Sequence, residues 1–227
     1  MNTEQARFNM IEQQIRPWDV LDAGVLSLLA MVRREDFVPP AYKALAFVDC
    51  EVPLTHKGHG GHVGHGGPCM LAPRVEARLL QEAQVQRHER VLEIGAGSGF
   101  MAALLAHRAQ SVITLECVPT LAAMAAANLR RAGVLNASVR ELDGARGLAG
   151  EAPFDLIMLS GSVPELPQVL LDQLKIGGRL IAIVGFEPVM QAMRITRLSA
   201  TALQSEPLFD TVAPRLTGIA EPSRFVF

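Results

Sequence analysis

Three glycines at alternate positions, Gly95, Gly97 and Gly99, follow directly on the apolar run V-L-E-I and precede a stretch of helical pattern. Glycine there lets the backbone take positive φ and come close to a bound molecule, which a Cβ would prevent. The carboxyl end of a first strand is also where open α/β sheets hold nucleotide-like ligands. The spacing discriminates among them. A dinucleotide fingerprint needs glycines at 95, 97 and 100, yet position 100 is Phe100. A nicotinamide cofactor, and with it a hydride-transferring oxidoreductase, is therefore disfavoured.

Three acids lie around this loop. Glu93 sits inside the first apolar run, within reach of a ligand ammonium directly or through water. Glu116 closes the next strand, S-V-I-T-L-E, 17 residues past Gly99, where a carboxylate can accept both hydroxyls of a ribose. Asp143 ends the run S-V-R-E-L-D and is placed to accept from an adenine amino group or a neighbouring water. A single acid of this kind is more often a solvated loop carboxylate, but three at successive strand ends suit an uncharged adenosyl group. S-adenosyl-L-methionine is the cofactor this pattern favours. Ala96, Cys117 and Gly144 adjoin these residues and complete the expected contacts.

Further segments carry a family resemblance: R-E-D-F-V-P at Arg34–Pro39, V-L-E-I-G-A-G-S-G at Val91–Gly99, D-G at Asp143–Gly144, A-P-F-D at Ala152–Asp155 and Q-L-K-I-G-G-R-L at Gln173–Leu180. In this order and spacing the chain resembles the protein-L-isoaspartate O-methyltransferase family over nearly its whole length. The resemblance implies methyl transfer from S-adenosylmethionine to a carboxylate of a peptide or protein. It also implies a Rossmann-like, seven-stranded, doubly wound and mostly parallel sheet with N-terminal helices. One domain is expected, with residues 1–72 as helical cap and substrate loop and residues 73–227 as the cofactor-binding core.

The chain departs from that family in its substrate loop. Where isoaspartyl-repairing members carry Gly-Gln-Thr-Ile-Ser-Gln-Pro, this chain reads G-P-C-M-L-A-P from Gly67 to Pro73, so the serine position is Leu71. Leucine cannot hydrogen-bond a substrate. The expectation is weak or absent isoaspartyl turnover, with a different acceptor or a purely binding or regulatory role as the alternative. Ser160, in L-S-G-S at Leu159–Ser162, is the hydroxyl expected near the reacting methyl group, or else a strand-end serine bonded to its own backbone. A carboxylate is already ionised at neutral pH, so no general base is expected.

Composition narrows the class. The 227 residues suffice for one sizeable α/β unit, and 21 basic against 23 acidic residues give no footprint for nucleic acid or an anionic membrane. With no long apolar stretch and no leader pattern, the reading is a cytoplasmic protein. Cys50, Cys69 and Cys117 form no C-x-x-C pair, and Cys50 and Cys117, lying in apolar runs, read as reduced core thiols. The tract from His56 to Gly67 places histidines at 56, 59, 62 and 65 among glycines. It reads as a mobile lid rather than a metal cage, since no carboxylate or cysteine closes a ligand set. The oligomeric state is left open.

The positioning elements follow from periodicity. Thr3 is expected to cap a helix with Phe8, Ile11 and Ile15 on its buried face, ending before Pro17, and Asp22 to cap a second; both should overlie the carboxyl edge of the sheet. Trp18 and Tyr42 are expected in core or lid packing. Strands are expected at 90–94, 112–115, 137–142, 155–160 and 179–184, with helices at 75–83, 99–108, 119–132 and 166–174. M-R-I-T-R-L, L-F-D-T-V and R-F-V-F should add antiparallel strands.

Overall fold

The computed structural model describes residues 2–55 and 67–219. Residues 56–66 of the histidine-glycine tract read as a lid, and the R-F-V-F segment, lie outside the described residues. Helix α1 (Thr3–Met10) is capped by Asn2 rather than Thr3, the Asn2 side chain accepting from Gln5 N–H at 3.2 Å. The path then widens into a π segment, Ile11–Ile15, and tightens into a 3₁₀ turn, Arg16–Trp18, so it passes Pro17. The change of winding shifts the buried stripe: Met10, Ile11 and Ile15 are buried and Phe8 is 58% exposed. Helix α2 (Ala23–Met31) begins as expected, with Asp22 accepting from Val25 N–H at 2.8 Å.

A two-stranded ribbon, β1 (Val52–Pro53) against β2 (Cys69–Met70), leads into α3 (Pro73–Ala83). The alternating core follows: β3 (Arg90–Ile94), α4 (Phe100–Ala106), β4 (Ser111–Glu116), α5 (Pro119–Arg131), β5 (Ala137–Glu141), β6 (Phe154–Val163), the short α6 (Gln168–Leu171) and β7 (Leu174–Phe186). The last two strands, β8 (Val189–Arg197) and β9 (Leu203–Thr211), fold back as an antiparallel meander. The helix expected over 166–174 contracts to a single turn because the chain joins the sheet at Leu174, opposite Phe154.

The seven strands run in the order β5-β4-β3-β6-β7-β8-β9, the first five parallel. The chain winds outward from β3 through β4 to β5 and returns to β6 on the other side of β3. The crevice at this reversal, outside the carboxyl ends of β3 and β6, is where such sheets bind ligands. Alternation along each strand decides which side chains share a face. Leu92 and Ile94 join the core on the α6 side; the first, larger core holds Val91, Met158 and the N-terminal helices. Helix α2 and the π segment pack on α3 against that face instead of overlying the carboxyl edge, and beyond them Arg34 and Phe37 meet Glu76 of α3 and Phe100. Trp18 packs edge-on to Phe209 at 5.4 Å and under the Arg74 guanidinium at 4.8 Å.

Candidate active site

At the crevice lies a cavity of about 480 Å³, within the range of small-molecule sites. Gly95, Gly97, Glu116, Cys117, Gly144, Ser160 and Leu71 all line it. The loop after β3 is held by its amides: Gly95 and Ala96 N–H both donate to Leu115 O, at 2.9 and 3.1 Å. Gly95 has φ +92°, and a Cβ there would meet Leu216 at 2.7 Å. Gly99, at φ +82°, does different work. Its missing Cβ lets α5 approach, Ala125 Cα lying 3.2 Å from where that atom would be. Ala96 and Gly99 are off the main cavity wall.

Glu116 is 6% exposed, and both carboxylate oxygens serve the loop: Oε2 accepts from Gly97 N–H at 2.8 Å and Oε1 from Val118 N–H at 3.0 Å. It therefore shapes the glycine loop as well as facing the cavity, and a carboxylate oxygen retains a second lone pair for a ligand hydroxyl. Asp143 departs from expectation. The strand ends at Glu141, and Asp143 is exposed, its Oδ1 capping a 3₁₀ turn through Ala145 N–H at 2.9 Å. It is off the cavity wall, which Gly144 provides instead, and a Cβ at Gly218 would collide with its carboxylate. A two-residue overshoot past the strand turned the acid to a capping role.

Ser160 is bonded across the sheet, not to its own backbone: its hydroxyl donates to Glu93 Oε1 at 2.7 Å. Glu93 is 0% exposed, and burial pushes its carboxyl up to about 7, partly offset by the neighbouring hydroxyls of Thr114 and Ser160. Glu93 Oε2 has no hydrogen-bond partner of good geometry among the described residues. Beside it is a second space of about 30 Å³, bounded in part by Glu76, Glu93, Ser98 and Ser160, large enough for a single water. Glu93 thus stands behind the cavity wall, and Ser160 connects it to the front.

The substrate loop is anchored by Arg34, a residue whose role no local sequence pattern signals. Arg34, 1% exposed, donates to Leu71 O at 2.8 Å and Ala46 O at 3.1 Å, and pairs with the buried Glu76. Burial pushes Glu76 up to about 7 despite that guanidinium. The Leu71 side chain lines the cavity where a serine hydroxyl was expected from the family pattern. All three cysteines are free, as expected of Cys50 and Cys117, but these two are half-buried rather than in the core; Cys69 and Cys117 stand on the cavity wall. Burial raises the thiol pKa of both, which keeps them protonated. Also unforeseen was the strap Ala213–Thr217, which closes the cavity beside the β7–β8 hairpin.

The model of the family described as protein-L-isoaspartate(D-aspartate) O-methyltransferase matches residues 5–211. The chain belongs to this family. It is 38% identical over 204 residues to a protein-L-isoaspartate O-methyltransferase of Koribacter versatilis, covering 90% of this chain and 87% of that one. It is 40% identical to protein-L-isoaspartate O-methyltransferase 1 of Rhodopseudomonas palustris, covering 90% and 80%. Among solved structures, a protein-L-isoaspartate O-methyltransferase superposes with a TM-score of 0.76 at 21% identity, and this chain spans 95% of itself but 66% of that longer chain. A Plasmodium falciparum structure of the same description, in complex with S-adenosyl-L-homocysteine, gives 0.71 at 21% identity, covering 96% and 99%. These two likenesses establish the Rossmann-like methyltransferase fold.

Proposed function

We propose that this chain transfers the methyl group of S-adenosylmethionine to a carboxylate of a peptide or protein. The observation that carries the reading is the continuity of one cavity from the glycine loop and Glu116 to the substrate loop at Leu71. A cofactor held at one end thereby faces an acceptor at the other. The site fits the adenosyl group: the cavity is large enough, the loop glycines leave room for close approach, and Glu116 presents a fixed carboxylate. Glu93, with an oxygen still unmatched, suits an ammonium reached through Ser160 or a water. Action in the cytoplasm and a single domain of cap and core belong to the same proposal.

When bound, the cofactor supplies a methyl carbon that an acceptor oxygen attacks as the carbon–sulfur bond breaks and sulfur keeps the electron pair, leaving an ester and S-adenosylhomocysteine. No proton moves, so the chain's task is positioning. Gly95 and Gly97 set the depth of the cofactor, Glu116 its ribose, and Ser160, fixed by Glu93, the wall beside the reacting centre. Leu54, Leu71 and Leu216 give that wall an apolar surface.

The test is methyl transfer from radiolabelled S-adenosylmethionine to capped peptides bearing isoaspartyl, aspartyl or carboxyl-terminal carboxylates, with titration of S-adenosylhomocysteine alongside. Base-labile label in at least one carboxylate peptide is expected. Cofactor binding without transfer to any of them would make this a binding protein. A second reading, an acceptor other than the isoaspartyl group, is favoured by the Leu71 side chain and would appear as preference for another peptide of the set.

A further inference from the structure

Strand order turns the carboxyl edge into a line: Glu116 ends β4, Gly95 follows β3, Ser160 lies in β6 and Phe186 ends β7. At ~4.8 Å per strand, β4 to β7 covers roughly 14 Å. A ligand held at Glu116 and laid across the glycine loop directs its far end toward β6 and β7. The acceptor therefore meets the wall made by the β7–β8 hairpin and the strap.

That wall is apolar at Phe186, Met190 and Pro214, and Leu71 of the substrate loop lines the same cavity. A carboxylate entering it loses hydration and needs a compensating cation. Among the described residues lining the cavity, the positive side chain is Arg215. The other charged residues on the cavity wall are acidic: Glu116, tied to loop amides, and Glu187, exposed at the hairpin tip. Arg215 is also held in place. The strap pairs with the end of β6 on both sides of it, Ser162 N–H donating to Pro214 O at 2.8 Å and Leu216 N–H to Ser162 O at 2.9 Å. Its guanidinium donates to Gly185 O at 2.9 Å and lies over the Phe186 ring at 5.3 Å. A guanidinium carries five donors in a planar fork that matches a carboxylate.

Building on the methyl-transfer reading above, we propose that Arg215 anchors the acceptor carboxylate and so selects an anionic acceptor in a cavity whose substrate loop lacks the serine. One carboxylate oxygen pairs with the guanidinium and the other faces the methyl group. Methylation converts the anion to a neutral ester, which removes the ion pair and favours release of product over substrate.

The experiment uses the full chain and whichever capped carboxylate peptide the wild type methylates. Arg215→Gln is expected to raise KM for that peptide by about 10- to 100-fold, with kcat changed much less and S-adenosylhomocysteine affinity retained. Arg215→Lys should recover part of the KM. In titrations with S-adenosylhomocysteine present, the wild type should prefer the carboxylate peptide over its carboxamide analogue, and Arg215→Gln should bind both alike. Melting temperature shows whether either variant is folded; if Arg215→Gln is not, Arg215→Lys with the two peptides decides. An unchanged KM, a preserved preference for the carboxylate, or an equal fall in S-adenosylhomocysteine affinity overturns the anchor. Absence of transfer to every peptide by the wild type overturns the methyl-transfer reading itself.

Discussion

Glu93→Gln should change how stability depends on pH more than it changes stability itself. Burial is the main reason the Glu93 carboxyl is pushed up to about 7, from 4.5 in the open chain. A folded value above the unfolded one means that its contribution is fully present below pH 4.5 and is lost as pH rises through 7. Each pH unit separating the folded from the unfolded value is worth about 1.36 kcal/mol. The wild type therefore loses about 2–3 kcal/mol from this group between roughly pH 5 and pH 8. For a chain of this size that is roughly 5–10 °C in melting temperature. Glutamine keeps a carbonyl oxygen for the Ser160 hydroxyl and abolishes the titration. Its amide N–H groups enter a buried place built for a carboxylate, at about 1–3 kcal/mol independent of pH. The readout is accordingly the difference in slope rather than the absolute Tm. Glu76, also near 7, titrates in both proteins and cancels to first order. Thermal unfolding by circular dichroism at a series of pH values, without cofactor, should show the variant gaining on the wild type by roughly 5–10 °C as pH rises. A flat difference across that range refutes the placement of an ionisable, buried Glu93 behind Ser160.

Glu116→Ala removes the acceptor facing the cavity and the tie of Gly97 to Val118; S-adenosylhomocysteine affinity should fall by about 1–3 kcal/mol, and unchanged calorimetric affinity would remove Glu116 from the site. Gly99→Ala places a Cβ at φ +82° and 3.2 Å from Ala125 Cα, so a loss of about 1–3 kcal/mol is expected in urea unfolding; a wild-type midpoint would contradict the close α5 approach. Arg34→Met strands the buried Glu76 and unhooks Leu71 O, a loss of about 3–5 kcal/mol that adding Glu76→Gln should partly restore; a double variant no better than the single would show that the pair is not coupled. Leu71→Ser should raise methyl transfer to an isoaspartyl peptide, and only partly, because Pro68, Cys69 and Met70 also depart from the family loop; no gain at all would mean that the loop serine is not what limits that acceptor.

The glycine loop, the acid ending β4, the strand at 90–94 and the parallel character of the alternating strands β3 to β7 were all legible in the chain. Each depends on local chemistry: alternation and apolar runs place strands, and glycine at positive φ marks where backbone must bend beside a ligand. The Asp22 cap was legible for the same reason. The first helix was not, since a π segment at Ile11–Ile15 reset its buried face and exposed Phe8. Nor was the orientation of Asp143, which hangs on whether a strand stops one residue sooner. Contacts that join distant segments were decided only by tertiary structure. Ser160 meets Glu93 across 67 residues because β3 and β6 are neighbours in register. Arg34 meets Glu76 across 42 and Leu71 across 37 because the cap segment folds onto α3. Arg215 reaches the cavity because the chain, after a meander of two strands, crosses back to the end of β6. Local sequence carries the free energy of turns and strands, while these encounters depend on strand register and chain reversal, which no short-range pattern encodes.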